Sequence, residues 1–470
     1  MEQSSSITRL VQLLRRDVVR LGPGKRLPTV RALMARHRVS PVTVRHAVAT
    51  LVSEGLIDAR PGHGTFVAER EEPAPAMDFG WQAAALGPAR ISAEAIEGML
   101  ALPVPGAINL AGGYPSEDLQ ALSLVSTALG RAARRPGVWG RMPLEGIEAL
   151  RAWFARQIGD PITSHEVLIC PGSQAAIGTA FSALTTPGSP LLIESPTYVG
   201  AIVAARAAGL ELVPVPTDRD GVLPEHLARA FARSGARLFY CQPTYANPTG
   251  ASLSAERRRQ VLDVVAAAGA ILIEDDWCRD LSLEAHAPRP LINSDRNGHC
   301  VYLRSLTKSA APGLRIAAIC ARGAALTRLT ASRVISDFFV PGPIQEAALE
   351  VVHAPAWLRH LRVLRATLAE RRDVLAAAVR QHFGDASLAV LPMGGMHLWV
   401  RLGDRVDDVA LARRAAAAKI SVSPGRHWFP AEATGSYLRM SYAGAPAESL
   451  GRAVATVGQL ADQGGKAVRR

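Results

Sequence analysis

Apolar residues recur at helical spacing near the start of the chain, at Ile7, Leu10, Val11, Leu14, Val18 and Leu21. That stripe predicts an amphipathic helix with one face on a small core. Pro28-Thr29 opens a second predicted helix, with Thr29 as N-cap and Arg31 in the first turn. Ser40-Pro41 opens a third. Serine caps the free N–H groups there, and proline is well tolerated at the first helical position. Val44, Val48 and Leu51 are expected to face the core, which leaves Thr43, Arg45 and His46 pointing outward. Arg60-Pro61-Gly62-His63-Gly64-Thr65-Phe66-Val67 then reads as a tight hairpin, or wing.

From about Ile108 the pattern changes. Short apolar runs alternate with Ala-rich helical stretches: Leu191–Glu194, Leu238–Cys241, Ala270–Glu274 and Val301–Ser305 each carry polar residues at their carboxyl ends. Such alternation predicts an α/β domain with a mostly parallel sheet. Ligands of open parallel sheets bind beyond the carboxyl ends of the strands. Between the two patterns, Glu69-Arg70-Glu71-Glu72 gives way to Pro73-Ala74-Pro75, with Pro88, Pro103 and Pro105 beyond. The expected division is therefore a head over residues 1–70, a linker and lead-in over 71–106, and a large body over 107–470.

Charge sharpens this division. The chain has 470 residues and a formal net charge of +12. Residues 1–70 hold 12 basic side chains against 5 acidic ones, so the head carries more than half of the excess. A basic head on a nearly balanced body points to a polyanion such as DNA. The outward residues of the third helix and wing, with Arg31 and Ser40, are the expected DNA contacts: Arg31, Ser40, Thr43, Arg45, His46, Gly62, His63 and Thr65. Arginine at position 45 suits guanine O6/N7 or a phosphate. The five cysteines form no CxxC pair and none lies in the head, so reduced thiols are expected and no metal site. Arg9, Arg15 and Arg16 interrupt any signal-peptide core, and no long uncharged apolar stretch occurs. A cytoplasmic protein with no membrane partner is expected.

The basic residues are almost all arginine; the only lysines are Lys25, Lys308, Lys419 and Lys466. A lysine retained in such a chain is a candidate for chemistry that arginine cannot do, since a neutral amine attacks carbonyls and a guanidinium does not. Lys308 lies in Ser305-Leu306-Thr307-Lys308-Ser309, followed by Pro312-Gly313-Leu314-Arg315. This is the local pattern of a lysine that holds pyridoxal 5′-phosphate as a Schiff base; a surface lysine in a polar loop is the plain alternative.

Other motifs have equally plain alternatives when taken singly. Pro171-Gly172-Ser173-Gln174 follows an apolar run and opens a helix, whose N–H groups can hold phosphate. Ser195-Pro196-Thr197-Tyr198 offers a ring for stacking, or an ordinary loop tyrosine. Asn247-Pro248-Thr249-Gly250 reads as a turn, or as a donor to a phenolic oxygen. Ile273-Glu274-Asp275-Asp276 reads as a solvated acidic loop, or as a carboxylate for a pyridinium nitrogen. Arg315 suits a phosphate clamp.

Their order supports the second reading in each case. The run from Leu27 to Val67 resembles the GntR family of bacterial regulators, a winged helix-turn-helix. From about Ile108 to about Leu460, the glycine-serine step, the tyrosine, NPTG, the acidic strand end, SLTK and GLR resemble fold-type I pyridoxal-phosphate enzymes of the aminotransferase class. Asp275 stands 33 residues before Lys308, as in that class. The two parts together resemble the MocR subfamily of transcription regulators. The resemblance implies that Lys308 forms the Schiff base, Asp275 pairs with the pyridine nitrogen, Asn247 meets the phenolic oxygen and Tyr198 stacks on the ring. It implies that Ser173, Gln174, Ser305 and Arg315 hold phosphate, and that Arg439, in Tyr437-Leu438-Arg439-Met440-Ser441, binds an effector carboxylate. It further implies promoter DNA and a small amino compound as partners, and a domain-swapped homodimer. An active aminotransferase with an accessory DNA-binding head is the alternative function.

Three departures qualify the resemblance. Relatives often carry a tyrosine after the acidic pair, where this chain has Trp277. The family's tyrosine for the partner's phosphate is replaced in Trp139-Gly140-Arg141-Met142-Pro143, where Arg141 offers a charge instead. Two residues past Tyr198, relatives that respond to γ-aminobutyrate have arginine and this chain has Gly200, which argues against that effector.

Overall fold

The structure is a computed structural model that describes residues 2–60, 62–69, 78–87, 89–91, 104–283 and 286–467. It divides into two compact units, Met1–Ala89 and Arg90–Arg470. Most of the stretch expected as a linker, including Pro73-Ala74-Pro75, lies outside the described residues; Gly80–Leu86 within it is a short helix.

In the smaller unit, α1 (Glu2–Leu21), α2 (Val30–His37) and α3 (Pro41–Ser53) precede a hairpin of β1 (Ile57–Arg60) and β2 (Gly64–Val67). Leu10, Leu14, Leu33, Val44, Ala47, Leu51 and Ile57 form its core. Both predicted caps are in place: Thr29 Oγ1 accepts from Ala32 N at 3.3 Å, and Ser40 Oγ accepts from Thr43 N at 3.2 Å. The hairpin pairs Ile57 with Val67 and Arg60 with Gly64, so Gly62 and His63 lie at its turn.

The larger unit is built on an eight-stranded sheet. Its members are β4 (Val167–Cys170), β5 (Pro190–Ser195), β6 (Glu211–Asp218), β7 (Gly221–Val222), β8 (Leu238–Cys241), β9 (Ile271–Asp276), β10 (Cys300–Ser305) and β11 (Ala317–Cys320), after a short β3 (Ile108–Asn109). The spatial order is β4-β11-β10-β9-β8-β5-β6-β7. The four pairings from β10 to β6 are parallel, while β11 runs antiparallel to both of its neighbours and β7 is an antiparallel extension. The sheet is therefore mostly parallel, as the sequence pattern predicts. Residues of its central strands alternate between two cores. Leu192, Phe239, Leu272 and Tyr302 enter one, while Ile193, Tyr240, Ile273 and Leu303 enter the other. Burial on both faces explains why these strands read as unbroken apolar runs.

Beyond the sheet the chain forms a 29-residue helix, Pro355–Phe383. A second sheet follows, from β12 (His397–Arg401), β14 (Ser423–Pro424) and β15 (Tyr437–Ser441), with β13 (Ile420–Ser421) paired to β3. Arg439 lies mid-strand on β15, opposite Trp399 and Ser423. Among the described residues no helix is long and apolar enough to cross a membrane.

Candidate cofactor, effector and DNA sites

Where β8 and β9 end, the sheet delivers a buried carboxylate. Asp275 is 1% exposed. Its Oδ2 accepts from the Tyr240 hydroxyl at 2.5 Å and from Gln242 Nε2 at 2.8 Å. Among the described residues its buried Oδ1 has no partner. Two donors on one oxygen orient the carboxylate and leave the other oxygen as an open acceptor. Burial pushes the carboxyl up to about 6; the two hydrogen bonds oppose that rise. Asp276 faces the other way, as strand alternation requires, with Oδ2 accepting from the Tyr302 hydroxyl at 2.8 Å. The acidic pair is thus buried and split, rather than a solvated loop.

Lys308 follows β10. Its Nζ donates to the Gly113 carbonyl at 2.6 Å and stands 3.7 Å from the centroid of the Tyr114 ring. Burial, then Arg439 and Arg315, draw its pKa down to about 7. An amine with a pKa near 7 is a usable nucleophile at neutral pH. Arg439 is 5% exposed and lies over the Trp428 ring at 4.2 Å. Nη1 donates to Asn247 Oδ1 at 3.2 Å and Nη2 to the Ala111 carbonyl, while Nε has no partner. Burial pulls this guanidinium down to about 9. Among the described residues no carboxylate pairs with Arg439.

His397 completes this group. It stacks on Trp277 with ring centroids 5.5 Å apart. Its Nε2 bonds the Gly112 carbonyl at 3.3 Å, so that nitrogen carries the proton. Nδ1 is left bare and unpartnered. Burial, with Arg439 and Lys308 nearby, holds its pKa well below the ordinary histidine value. Three successive carbonyls, of Ala111, Gly112 and Gly113, therefore receive Arg439, His397 and Lys308.

An anion cradle lies at the start of the helix Ser173–Leu184, which follows Gly172 with φ +96°. A Cβ on Gly172 would lie 2.3 Å from Arg315 Nη2, so only glycine lets that guanidinium approach. Arg315 donates to the Pro171 carbonyl at 3.3 Å. Free N–H groups at a helix start beside a guanidinium suit a phosphate. Ser173 is the first residue of this helix. Gln174 Nε2 donates to the Gly200 carbonyl at 2.8 Å, and its Oε1 accepts from the Tyr198 hydroxyl at 3.1 Å. A Cβ on Gly200 would lie 2.4 Å from the Tyr198 ring and 2.5 Å from Gln174 Oε1, so this pair leaves no room for an arginine there.

One expected phosphate ligand is placed differently. The Ser305 hydroxyl is buried and turned inward, donating to Thr307 Oγ1 at 2.8 Å. Arg141, expected to reach a partner's phosphate, is exposed. Tyr240, Gln242, His397 and the carbonyls of residues 111–113 were not singled out from sequence. Tyr240 and Gln242 sit at the carboxyl end of a predicted strand, which is the one signal that pointed to them.

On the smaller unit, Arg31, Ser40, Arg45 and His46 are exposed, as are Gly62 and His63 at the wing turn, and Thr65 is half-buried. Thr43 corrects the expected outward set. It is 8% exposed, with Oγ1 2.9 Å from Ser40 Oγ. The cap draws its side chain in against the helix start, and Ala47 joins Val44 and Leu51 in the core. Arg60 and Arg26 lie over the Phe66 ring at 5.0 and 6.0 Å.

A basic winged helix-turn-helix joined to an aminotransferase-like fold with a half-buried lysine and a buried arginine defines a two-part regulator class. Comparison with known proteins agrees. Residues 112–457 match aminotransferase class I and II, and residues 7–67 match the bacterial regulatory proteins of the gntR family. The chain belongs to the aminotransferase class I and II family, and its GntR domain places it with the MocR-type regulators. It is 27% identical over 446 residues to the HTH-type transcriptional regulator YdfD of Bacillus subtilis, covering 93% of this chain and 92% of that one. It is 28% identical to the vitamin B6 salvage pathway transcriptional repressor PtsJ of Salmonella typhimurium, covering 80% of each. Among solved structures, an alpha-aminoadipate aminotransferase from Thermus thermophilus, complexed with N-(5′-phosphopyridoxyl)-L-leucine, superposes with TM-score 0.75 at 28% identity. That match covers 83% of this chain and 99% of the enzyme. The aminotransferase class is pyridoxal-phosphate-dependent.

The raised Asp275 carboxyl yields a prediction for the cofactor-free protein. Its folded pKa, about 6, exceeds the ordinary carboxylate value, so the folded state binds more protons between roughly pH 4 and 6 and stability falls as pH rises through that window. The cost is fully present above pH 6. Asp275→Asn is expected to stabilise the apoprotein at pH 8 by up to ~3 kcal/mol and to have little effect near pH 4. Denaturant titration at both pH values checks this; equal effects at both would contradict it.

Proposed function

We propose that this protein is a DNA-binding transcription regulator whose larger unit binds pyridoxal 5′-phosphate through Lys308 and senses a small amino compound with an acidic group. One observation carries the reading. One site combines an open carboxylate oxygen, a lysine drawn toward neutrality and an arginine that, among the described residues, has no acidic partner, in a chain with a GntR domain over residues 7–67. The residues fit the cofactor. Asp275 Oδ1 suits a protonated pyridine nitrogen, the Ser173 helix start with Gln174 and Arg315 suits the phosphate, and Asn247 and Tyr198 would hold the ring. When bound, the cofactor supplies an electrophilic aldehyde on an electron-withdrawing ring. Lys308 provides the attacking amine, and Asp275 keeps a proton on the ring nitrogen by opposite charge.

Arg439 would take the effector's acidic group, exchanging the neutral Ala111 carbonyl for an anion. Arg31 and Arg45 would contact promoter DNA, with Ser40, His46 and the wing residues Gly62, His63 and Thr65 beside them. The name of the Salmonella relative, a repressor of vitamin B6 salvage, supports a link between this architecture, vitamin B6 and DNA. A cytoplasmic, domain-swapped homodimer is part of the proposal, in keeping with paired operator half-sites.

Borohydride treatment of protein mixed with pyridoxal phosphate is expected to fix the cofactor on the peptide containing Lys308. The capture rate should rise with pH through about 7, as the neutral amine fraction grows. A protein that stays colourless in excess cofactor would refute the assignment.

Binding to the DNA upstream of its own gene should weaken steeply with salt, by a log–log slope of about −0.9 per phosphate neutralised. Loss of Arg45 alone should cost roughly 1–3 kcal/mol if it reads a base. Unchanged mobility shifts by the Arg31→Ala, Arg45→Ala double variant would rule out the groove assignment.

Amino compounds with a carboxylate or sulfonate should perturb the absorbance of the bound cofactor far more than simple amines do. Arg439→Ala should lose that preference and keep the cofactor. Equal responses to both classes in wild type and variant would make Arg439 a structural residue.

A further inference from the structure

Gln242 lies one residue beyond β8 and is 2% exposed. Its polar groups are spent on the site itself. Nε2 donates to Asp275 Oδ2 at 2.8 Å, and Oε1 accepts from the Asn247 backbone N–H at 2.8 Å. Its own backbone N–H donates to Glu194 Oε2 at 2.9 Å. Asn247 Oδ1 in turn accepts from Arg439 at 3.2 Å. Hydrogen bonds thus run unbroken from Asp275 through Gln242 and Asn247 to Arg439.

This position requires an amide. It must donate to a carboxylate on one side and accept from an N–H on the other, at a reach that asparagine lacks by one methylene. A methionine of similar length would leave Asp275 with one donor and Asn247 N–H with none. A buried group left so costs more than a hydrogen bond gains. Tyr240 and Gln242 together fill Oδ2, so the direction of the free Oδ1 depends on both.

We propose that Gln242 is a positioning residue that holds Asp275 and Asn247 in fixed relation, setting the two sides of the cofactor ring against each other. The proposal rests on the pyridoxal-phosphate reading above. The charged and titratable groups around Asp275 are Tyr240, Asp276, Lys308, Glu194, Tyr198 and Cys278.

The test uses the full chain as wild type, Q242E and Q242M, titrated with pyridoxal phosphate by absorbance at several pH values. Both variants are expected to bind the cofactor about tenfold more weakly or worse at pH 8, as fits the loss of a hydrogen bond to a charged group. As pH falls, Q242E should recover relative to wild type, since a protonated carboxyl again donates to Asp275 and accepts from Asn247. Q242M has no proton to regain and should not recover. Thermal midpoints of the apoproteins check folding, and Q242E carries the pH comparison by itself if Q242M does not fold. Wild-type affinity in both variants overturns the proposal. So does an equal, pH-independent loss in both, which would mark Gln242 as packing alone. Failure of wild type itself to bind cofactor overturns the reading beneath it, and the proposal with it.

Discussion

The charged groups of the candidate site are organised by one constraint: they are drawn out of water where the parallel strands end. Asp275, Lys308 and Arg439 each lose solvation there, and each has its pKa moved toward its neutral form. Such groups persist only if the surrounding chain supplies partners. Tyr240 and Gln242 serve Asp275, the Gly113 carbonyl serves Lys308, and Asn247 with the Ala111 carbonyl serves Arg439. Among the described residues Asp275 Oδ1 and Arg439 Nε have no partner, which is what the proposed ligand would supply.

The segment Ala111–Gly113 has a particular place in this arrangement. Its carbonyls are neutral acceptors, each weaker than a charged partner would be. A cofactor aldehyde at Lys308 and an acid group at Arg439 would both take donors from this one segment. On the proposed reading, occupancy of the site would be linked to the state of residues 111–113, which a sensor needs and a static pocket does not. The Tyr198–Gln174 pair fills the space that a side chain at Gly200 would require.

In the smaller unit the balance of forces is different. A compact apolar core fixes three helices and a hairpin, and its arginines stay outside, two of them paired with the buried Asp17. Exposed arginines are cheap to hold and well suited to phosphate and base edges. Thr43 shows how a local bond overrides a helical-face assignment. The same hydroxyl that a groove contact would use is tied to Ser40 at the cap.

Much of this was legible in the sequence, because the signals were local. The helix caps at Thr29 and Ser40, the apolar strands and the isolated Lys308 all depend on near neighbours and on spacing. The order of motifs carried the resemblance, and hence the roles expected of Asp275, Asn247 and Arg315. What the tertiary structure decided was partnership. Tyr240 and Gln242 meet Asp275 across 35 and 33 residues, and Asn247 meets Arg439 across 192. The inward turn of Ser305 and the burial of Thr43 were settled in the same way, by which hydroxyls stand within reach once the chain is folded. Sequence records that a residue is polar and near a strand end. Which buried atom then satisfies which depends on three-dimensional proximity and on the cost of leaving either one alone.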